Sequence, residues 1–254
     1  MSLQFHRNRG ARDGHGDTLE RIAPPELDRQ GATGRATYDL HIQRYLFACS
    51  HLRGSTVLDI ACGVGYGTYA LAEHCPNLAQ AHGVDISASA VAYAETNYRD
   101  PRIQYFCEDA FRFRGLGAYD TIVSLETVEH VAEPRAFLSH LNSLLRPGGV
   151  LIASVPTTPS MDGNPHHLSD FTEKSIRRLG SAIGLREIAC LRQTQPFDVR
   201  AVTSGTERRL ERTRADLLLF YASHPGKLAL RVWATTRYGF VNNYLTIAWE
   251  KSGS

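Results

Sequence analysis

No stretch of this chain offers the roughly 20 consecutive apolar residues that a bilayer-spanning helix needs, so a transmembrane segment is excluded. The first seventeen residues, Met1–Asp17, are polar and rich in Arg, Gly and His. They hold no apolar core of the secretory kind, so no export leader is expected. Charge of one sign is also missing: 28 Lys+Arg against 26 Asp+Glu leave +2. A dedicated nucleic-acid binder needs a stronger basic footprint, and neither nucleic acid nor membrane is expected as a partner. Cysteine is sparse, with 5 in 254 residues and no C-x-x-C pair. Cys49, Cys62, Cys75, Cys107 and Cys190 are odd in number and scattered, which reads as free thiols in a reducing cytoplasm. Internal repeats and low-complexity tracts are absent. What remains is ordinary for a globular protein, 43% hydrophobic and 21% charged, and long enough for one large domain with a lid.

Residues 1–34 are rich in Gly, Arg, Asp and Pro and read as a loose N-terminal arm. From Arg35 the spacing of Tyr38, Ile42, Tyr45 and Leu46 predicts an amphipathic helix. It either packs on the domain or closes over a ligand. Strands and helices then alternate. Strands are predicted at Val57–Ile60, Ala81–Val84, Ile103–Phe106, Tyr119–Ser124 and Val150–Val155. Ser87 is placed to cap the helix carrying Val91 and Ala92. Pro134 suits a first helical turn, and Phe137, Leu138, Leu141, Leu144 and Leu145 form its apolar stripe. Pro147-Gly148-Gly149 is expected to end that helix and turn the chain. Thr172 caps a further helix bearing Ile176, Leu179 and Ile183, with Gly184 beyond its end. Two more strands are predicted near Arg186–Leu191 and Tyr244–Trp249. Alternation of this kind argues for an α/β fold, a doubly wound, seven-stranded, mostly parallel sheet. The domain spans 35–254, and 193–243 is a helical lid insertion, too long for an idle turn. Its arginines (Arg208, Arg209, Arg212, Arg214) are either a solvated face or a site for an acidic group.

The chemistry gathers at Val57-Leu58-Asp59-Ile60-Ala61-Cys62-Gly63-Val64-Gly65-Tyr66-Gly67. An apolar run ends in an acid, crosses three alternating glycines and enters a helix. Glycine admits positive φ and lets a ligand lie against bare backbone. In open α/β sheets that strand end, near the switch in strand order, is where ligands bind. Three acids fall at three successive strand ends: Asp59, Asp85 and Asp109. The second can take both hydroxyls of a ribose, Asp109 beside Ala110 can hold an adenine amino group, and Asp59 can meet an ammonium group. A dinucleotide fingerprint, G-x-G-x-x-G, is not met, because Gly63-Val64-Gly65-Tyr66-Gly67 closes one residue early.

These features resemble the class I S-adenosylmethionine-dependent methyltransferases. The resemblance rests on VLDIACGVGYG (57–67), GVDIS (83–87), EDA (108–110), YDTIVSLETVEHV (119–131) and LLRPGGVLIASVP (144–156). It implies that Asp59, Ala61, Gly63 and Gly65 contact the methionine part of the cofactor, Asp85 and Ile86 the ribose side, and Asp109 and Ala110 the adenine. Leu125 and Glu126 would border the methyl group. S-adenosyl-L-homocysteine would be the product. Within the superfamily, RYLFA (44–48), SLETVEHV (124–131) and NPHHLSDFT (164–172) are similar to methyltransferases of polysaccharide and glycoside pathways. The Glu-x-x-Glu-His piece is shared with ubiquinone-pathway O-methyltransferases and with small-RNA terminal 2′-O-methyltransferases, where it helps bind a divalent metal.

A hydroxyl acceptor needs somewhere to send its proton, and histidine suits that task near neutral pH. His130 is the first choice, with Glu129 beside it; His167 and its neighbour His166 come second. Three readings stay open for Glu126, Glu129, His130 and the His166/His167 pair: a general base held by a carboxylate, a divalent metal site, or capping and cofactor contact with surface histidines. The expectation is a catalytic set of His130, Glu129 and His167 with no metal. The implied reaction is O-methylation of a small hydroxylated acceptor such as a sugar, by a monomer or homodimer. A quinone or phenol O-methyltransferase, an amino-sugar N-methyltransferase, a cofactor-binding module without turnover and a nicotinamide dehydrogenase are the alternatives.

Overall fold

A computed structural model describes residues 31–115, 117–161, 164, 166–196, 217–239 and 241–253. Helix α1 covers Gly31–Ser50, so helix begins a few residues before the predicted Arg35. There follow β1 (Thr56–Ile60), α2 (Tyr66–His74), β2 (Gln80–Asp85), α3 (Ala88–Asn97), β3 (Ile103–Cys107) and β4 (Tyr119–Leu125). After a 3₁₀ turn at Val128–His130 come α4 (Pro134–Leu144), β5 (Leu145–Pro156), α5 (Glu173–Ala182) and β6 (Leu185–Pro196). The chain ends with α6 (Leu217–Ser223), α7 (Pro225–Tyr238) and β7 (Val241–Lys251).

The seven strands form one sheet in the order β3-β2-β1-β4-β5-β7-β6. β1 to β5 run parallel, and β7 slots antiparallel between β5 and β6. Helices cover both faces, which is why β1, β4 and most of β5 are buried residue after residue and not on alternate residues. Successive residues of β1 feed opposite cores. Leu58 and Ile60 pack with Phe137, Leu141 and Ile176 of α4 and α5. Val57 packs with Tyr45, Ala48 and Leu71 of α1 and α2. Strand order reverses between β1 and β4, so the carboxyl ends of those two strands open onto a crevice.

Local sequence explains most element ends. Ser87 accepts a hydrogen bond from the Ala90 N–H and starts α3. Pro134 opens α4. Thr172 and Ser175 form a reciprocal capping box at the head of α5, and Gly184 turns the chain out of it at φ 80. Gly67 allows a close approach: a Cβ there would lie 1.9 Å from the Tyr45 ring, so α1 could not seat against the start of α2.

Three expectations are corrected. Pro147-Gly148-Gly149 does not turn the chain out of the sheet. α4 ends at Leu144, Leu145 already pairs with Tyr119, and the triplet, with Pro147 and Gly148 exposed and Gly149 buried, is an irregularity inside β5 where the register to β4 shifts. The insertion between the last two strands is shorter than 193–243, because β6 and β7 stay paired out to Pro196 and Val241. Of that insertion, Leu217–Ser223 and Pro225–Tyr238 are described, as α6 and α7; Arg208, Arg209, Arg212 and Arg214 fall outside the described residues. Finally, Cys49 and Cys75 are not free thiols. The last turn of α1 meets the C-cap of α2 and brings their Cα atoms to 5.3 Å, and the two sulfurs are bonded. Cys62, Cys107 and Cys190 are free. Cysteine usage therefore no longer argues for a compartment. Among the described residues, no helix is long and apolar enough to cross a membrane.

Candidate functional site

The crevice is lined first by the turn after β1. Ala61 takes φ 59, a left-handed conformation uncommon outside glycine, and Gly63 and Gly65 take 58 and 86. Nothing lies within 4 Å of where a Gly63 Cβ would be, so this face of the turn is open. Asp85, at the end of β2, is buried and clamped by main-chain donors. Its Oδ2 accepts from the Gly63 N–H at 2.8 Å and its Oδ1 from the Ser87 N–H at 2.9 Å. Beside it, Ile86 is 55% exposed, a large apolar side chain held out at the mouth. Asp109, after β3, accepts from the Phe111 N–H at 2.8 Å, and Ala110 packs on the core behind it.

Asp59 has a different environment. It is buried, 1% exposed, and bonded to hydroxyls alone: Thr68 at 2.7 Å and Tyr45 at 3.3 Å. Burial pushes its carboxyl up to about 7, against the pull of the Thr68 and Tyr45 bonds and helped by the nearby Asp85. Among the described residues no cation pairs with it, so the donor set is suited to a positively charged ligand group.

The end of β4 forms the opposite wall. Leu125 is buried, and Glu126 sits in the left-handed region at φ 51. That conformation costs a non-glycine residue about 1–2 kcal/mol. It is held by Ser154 of β5, whose Oγ accepts from the Glu126 N–H at 3.0 Å and donates to Oε1 at 2.6 Å. The same Oε1 lies 3.3 Å from Arg44 Nη1. Arg44, only 1% exposed, also donates to Gln193 Oε1 at 2.8 Å and stacks 4.4 Å over the Tyr244 ring. His41, one turn back on α1, contacts the Tyr66 hydroxyl at 3.1 Å and is kept neutral by burial and by the Arg44 charge. Arg44 and Ser154 hold Glu126, which is not part of the cluster that gathers around His130.

Glu129, His130 and His167 do converge. Each offers one ligand atom, and the three atoms lie within 4.8 Å of one another. The His130 and His167 rings meet edge to face at 4.7 Å. His130 Nδ1 lies 3.1 Å from the His166 carbonyl oxygen, which can only accept, so Nδ1 carries the proton and Nε2 is left as an acceptor. His167 Nδ1 is 2.7 Å from Ser160 Oγ. The loop after β5 is stitched to the 3₁₀ turn by the Leu168 and Ser169 N–H groups, both donating to the Glu129 carbonyl. His166 contributes its backbone and its ring stays exposed. The three side chains form a partly buried His₂Glu set of the size that also admits a divalent cation.

Comparison with known proteins decides the class. Residues 58–153 match the family described as a methyltransferase domain. The chain carries a class I S-adenosylmethionine-dependent methyltransferase domain. Ubiquinone biosynthesis O-methyltransferase of Paraburkholderia xenovorans is 33% identical over 110 residues, covering 41% of this chain and 46% of that protein. The chain thus spans about half the length of this curated relative. N-methyltransferase NodS from Bradyrhizobium japonicum, in complex with S-adenosyl-L-homocysteine, superposes with a TM-score of 0.57 at 16% identity, covering 89% of this chain and 97% of NodS. The [4+2]-cyclase SpnF superposes with a TM-score of 0.56 at 19% identity, over 87% of this chain and 82% of SpnF. At such identity the likeness is one of fold. The methyltransferase cofactor is S-adenosylmethionine, and the open Gly63 turn, the clamped Asp85 and the cation-seeking Asp59 fit it.

Sequence reading missed Arg44, His41 and Tyr45 as site residues. The signal was present in α1: a cation and a histidine stand beside an otherwise apolar stripe, where a buried charge needs a partner.

Proposed function

We propose that this methyltransferase transfers a methyl group to a hydroxyl of a small acceptor such as a sugar or glycosylated metabolite. One observation carries the reading: His130 is fixed in the tautomer whose free Nε2 can accept a proton, within reach of Glu129 and His167. S-adenosylmethionine, when bound, supplies the electrophilic methyl. Asp85 would hold its ribose hydroxyls, Asp109 and Ala110 its adenine, Asp59 and the turn Ala61–Gly65 its cationic tail. Leu125 and Glu126 would border the transferred group. The acceptor hydroxyl gives its proton to His130 Nε2 as its oxygen attacks, and Glu129 and His167 steady the imidazolium that forms. α7, tied to the segment after β5 by Lys227–Asp170 and Arg231–Pro159, would help keep water out. The protein works in the cytoplasm, as monomer or homodimer, on small molecules and not on nucleic acid.

A phenolic or quinone-type acceptor is the second reading, favoured by the 33% identity to the ubiquinone-pathway enzyme. The test is transfer of labelled methyl from S-adenosylmethionine to parallel panels of glycosides and catechols, with and without chelator. Turnover on glycosides, unaffected by chelator and lost in His130→Ala, supports the first reading. Turnover on catechols alone selects the second. Loss of activity with chelator, restored by magnesium or manganese, reassigns the His₂Glu set to a cation. Cofactor binding without turnover on any hydroxyl overturns both.

A further inference from the structure

Asp59 is held by two helices that a covalent bond joins. Its hydroxyl partners come one from each: Tyr45 from α1 at 3.3 Å and Thr68 from α2 at 2.7 Å. One turn after Tyr45, Cys49 of α1 is bonded to Cys75, the residue that caps the end of α2. The bond closes the chain between positions 49 and 75 into a loop, and that loop holds β1, Asp59 and the turn Ala61–Gly65. Arg44, next to Tyr45, carries the same helix to Glu126 on the opposite wall. One cross-link thus fastens the element that touches both walls of the crevice. Otherwise α1 is held by noncovalent contacts alone, Tyr45 over Gly67 and Arg44 on Gln193 among them.

A cavity of about 230 Å³ lies against the bond, lined by Cys49, Leu52, Arg53, Cys75, Pro76 and Asn77. Cys75 is buried at 2% exposure, whereas Cys49 is half-buried, so Cys49 is the sulfur that an incoming thiolate meets. Arg53, exposed on the rim, favours the anionic form of that thiol.

We infer that Cys49–Cys75 is a redox-sensitive clamp on the cofactor site: when a dithiol reduces it, α1 is freed from α2 and cofactor binding weakens. One thiolate of the dithiol attacks Cys49 Sγ, the S–S bond breaks and its electron pair leaves on Cys75. The second thiolate then displaces Cys49 and closes the dithiol's own disulfide, while the two cysteines take up the two protons. The weakening rests on the role proposed above for Asp59, which loses the Tyr45 hydroxyl as α1 moves.

The test is calorimetric binding of S-adenosylhomocysteine to the full chain, air-oxidised or incubated with dithiothreitol. Alkylation after denaturation should count three thiols before reduction and five after. Affinity is expected to fall about tenfold on reduction, the worth of one hydrogen bond to a charged group. Far-UV circular dichroism should stay unchanged and the melting temperature fall by about 5–10 °C. Reoxidation should restore both affinity and melting temperature. Cys49→Ser with Cys75→Ser should bind as the reduced chain does and ignore dithiothreitol, which clears Cys62, Cys107 and Cys190. Asp59→Ala, measured in parallel, keeps the clamp apart from the site. Affinity lost in that variant but unchanged on reduction overturns the clamp alone; affinity unchanged in that variant overturns the role of Asp59 and, with it, the clamp's route to the cofactor. Three further results would overturn the clamp: a bond that the folded protein keeps in excess dithiothreitol, a response to dithiothreitol that persists in the paired serine variant, or loss of helical circular dichroism on reduction, which marks a structural staple.

Discussion

The two walls of the crevice are built by different means. On the cofactor side, Asp85 is fixed by N–H groups of the turn it faces and of the helix it precedes, both close in the sheet. On the side proposed for the acceptor, His130 and His167 come from separate segments, joined by the contact of His130 Nδ1 with the His166 carbonyl 36 residues away. Backbone-clamped acids hold one geometry under small changes of sequence. A site assembled from loops and a lid can be rebuilt without disturbing the sheet. The difference separates what every enzyme of this fold must keep from what each can vary, and SpnF, with a similar fold and a different activity in its name, illustrates the latitude.

The comparison can be broken or sharpened by experiment. The largest effect should come from the acceptor wall: His130→Ala should lower kcat by about 10²–10⁴, while cofactor affinity in calorimetry stays within about twofold. A matching fall in affinity would show the walls are not separable. The next effect concerns Asp59. Its folded-state pKa of about 7 lies above the ordinary 3.8, so the folded protein holds this proton more tightly than the unfolded chain. The resulting stability is full below about pH 4 and is lost as pH rises through about 7, amounting to about 4 kcal/mol over three units. Thermal melts of the cofactor-free protein should fall across that window, and Asp59→Asn should flatten the slope. A slope that survives the substitution would place the titration elsewhere. Asp85→Ala should weaken S-adenosylhomocysteine binding about a hundredfold, since it removes a charged acceptor and frees the Gly63 turn. Retained affinity would detach the cofactor from this wall. Thr172→Ala, far from both walls, should cost about 1 kcal/mol of stability through the lost cap and leave activity unchanged.

Legibility in the sequence follows the same division. Asp59, the glycine turn, Asp85 and Asp109 were readable because each sits at a strand end marked by its own apolar run. The caps at Ser87 and Thr172 and the parallel sheet were readable for the same local reason. Long-range partners leave no such mark. That Arg44 would claim Glu126, or that Cys49 would meet Cys75 across 26 residues, depends on how α1 lies against the sheet, and periodicity gives only which face is apolar. That Lys227 and Arg231 of α7 would meet Asp170 and the Pro159 carbonyl was hidden for the same reason.

Arg44 has a consequence for how the molecule is made. It belongs to the first helix, yet two of its partners, Gln193 and Tyr244, lie about 150 and 200 positions downstream. During synthesis the helix leaves the ribosome well before these partners and must wait, its guanidinium solvated, until β6 and β7 have emerged. A truncated translation product can form the glycine turn, but it cannot bury this arginine. Closure of this buried cluster therefore waits on the emergence of β7.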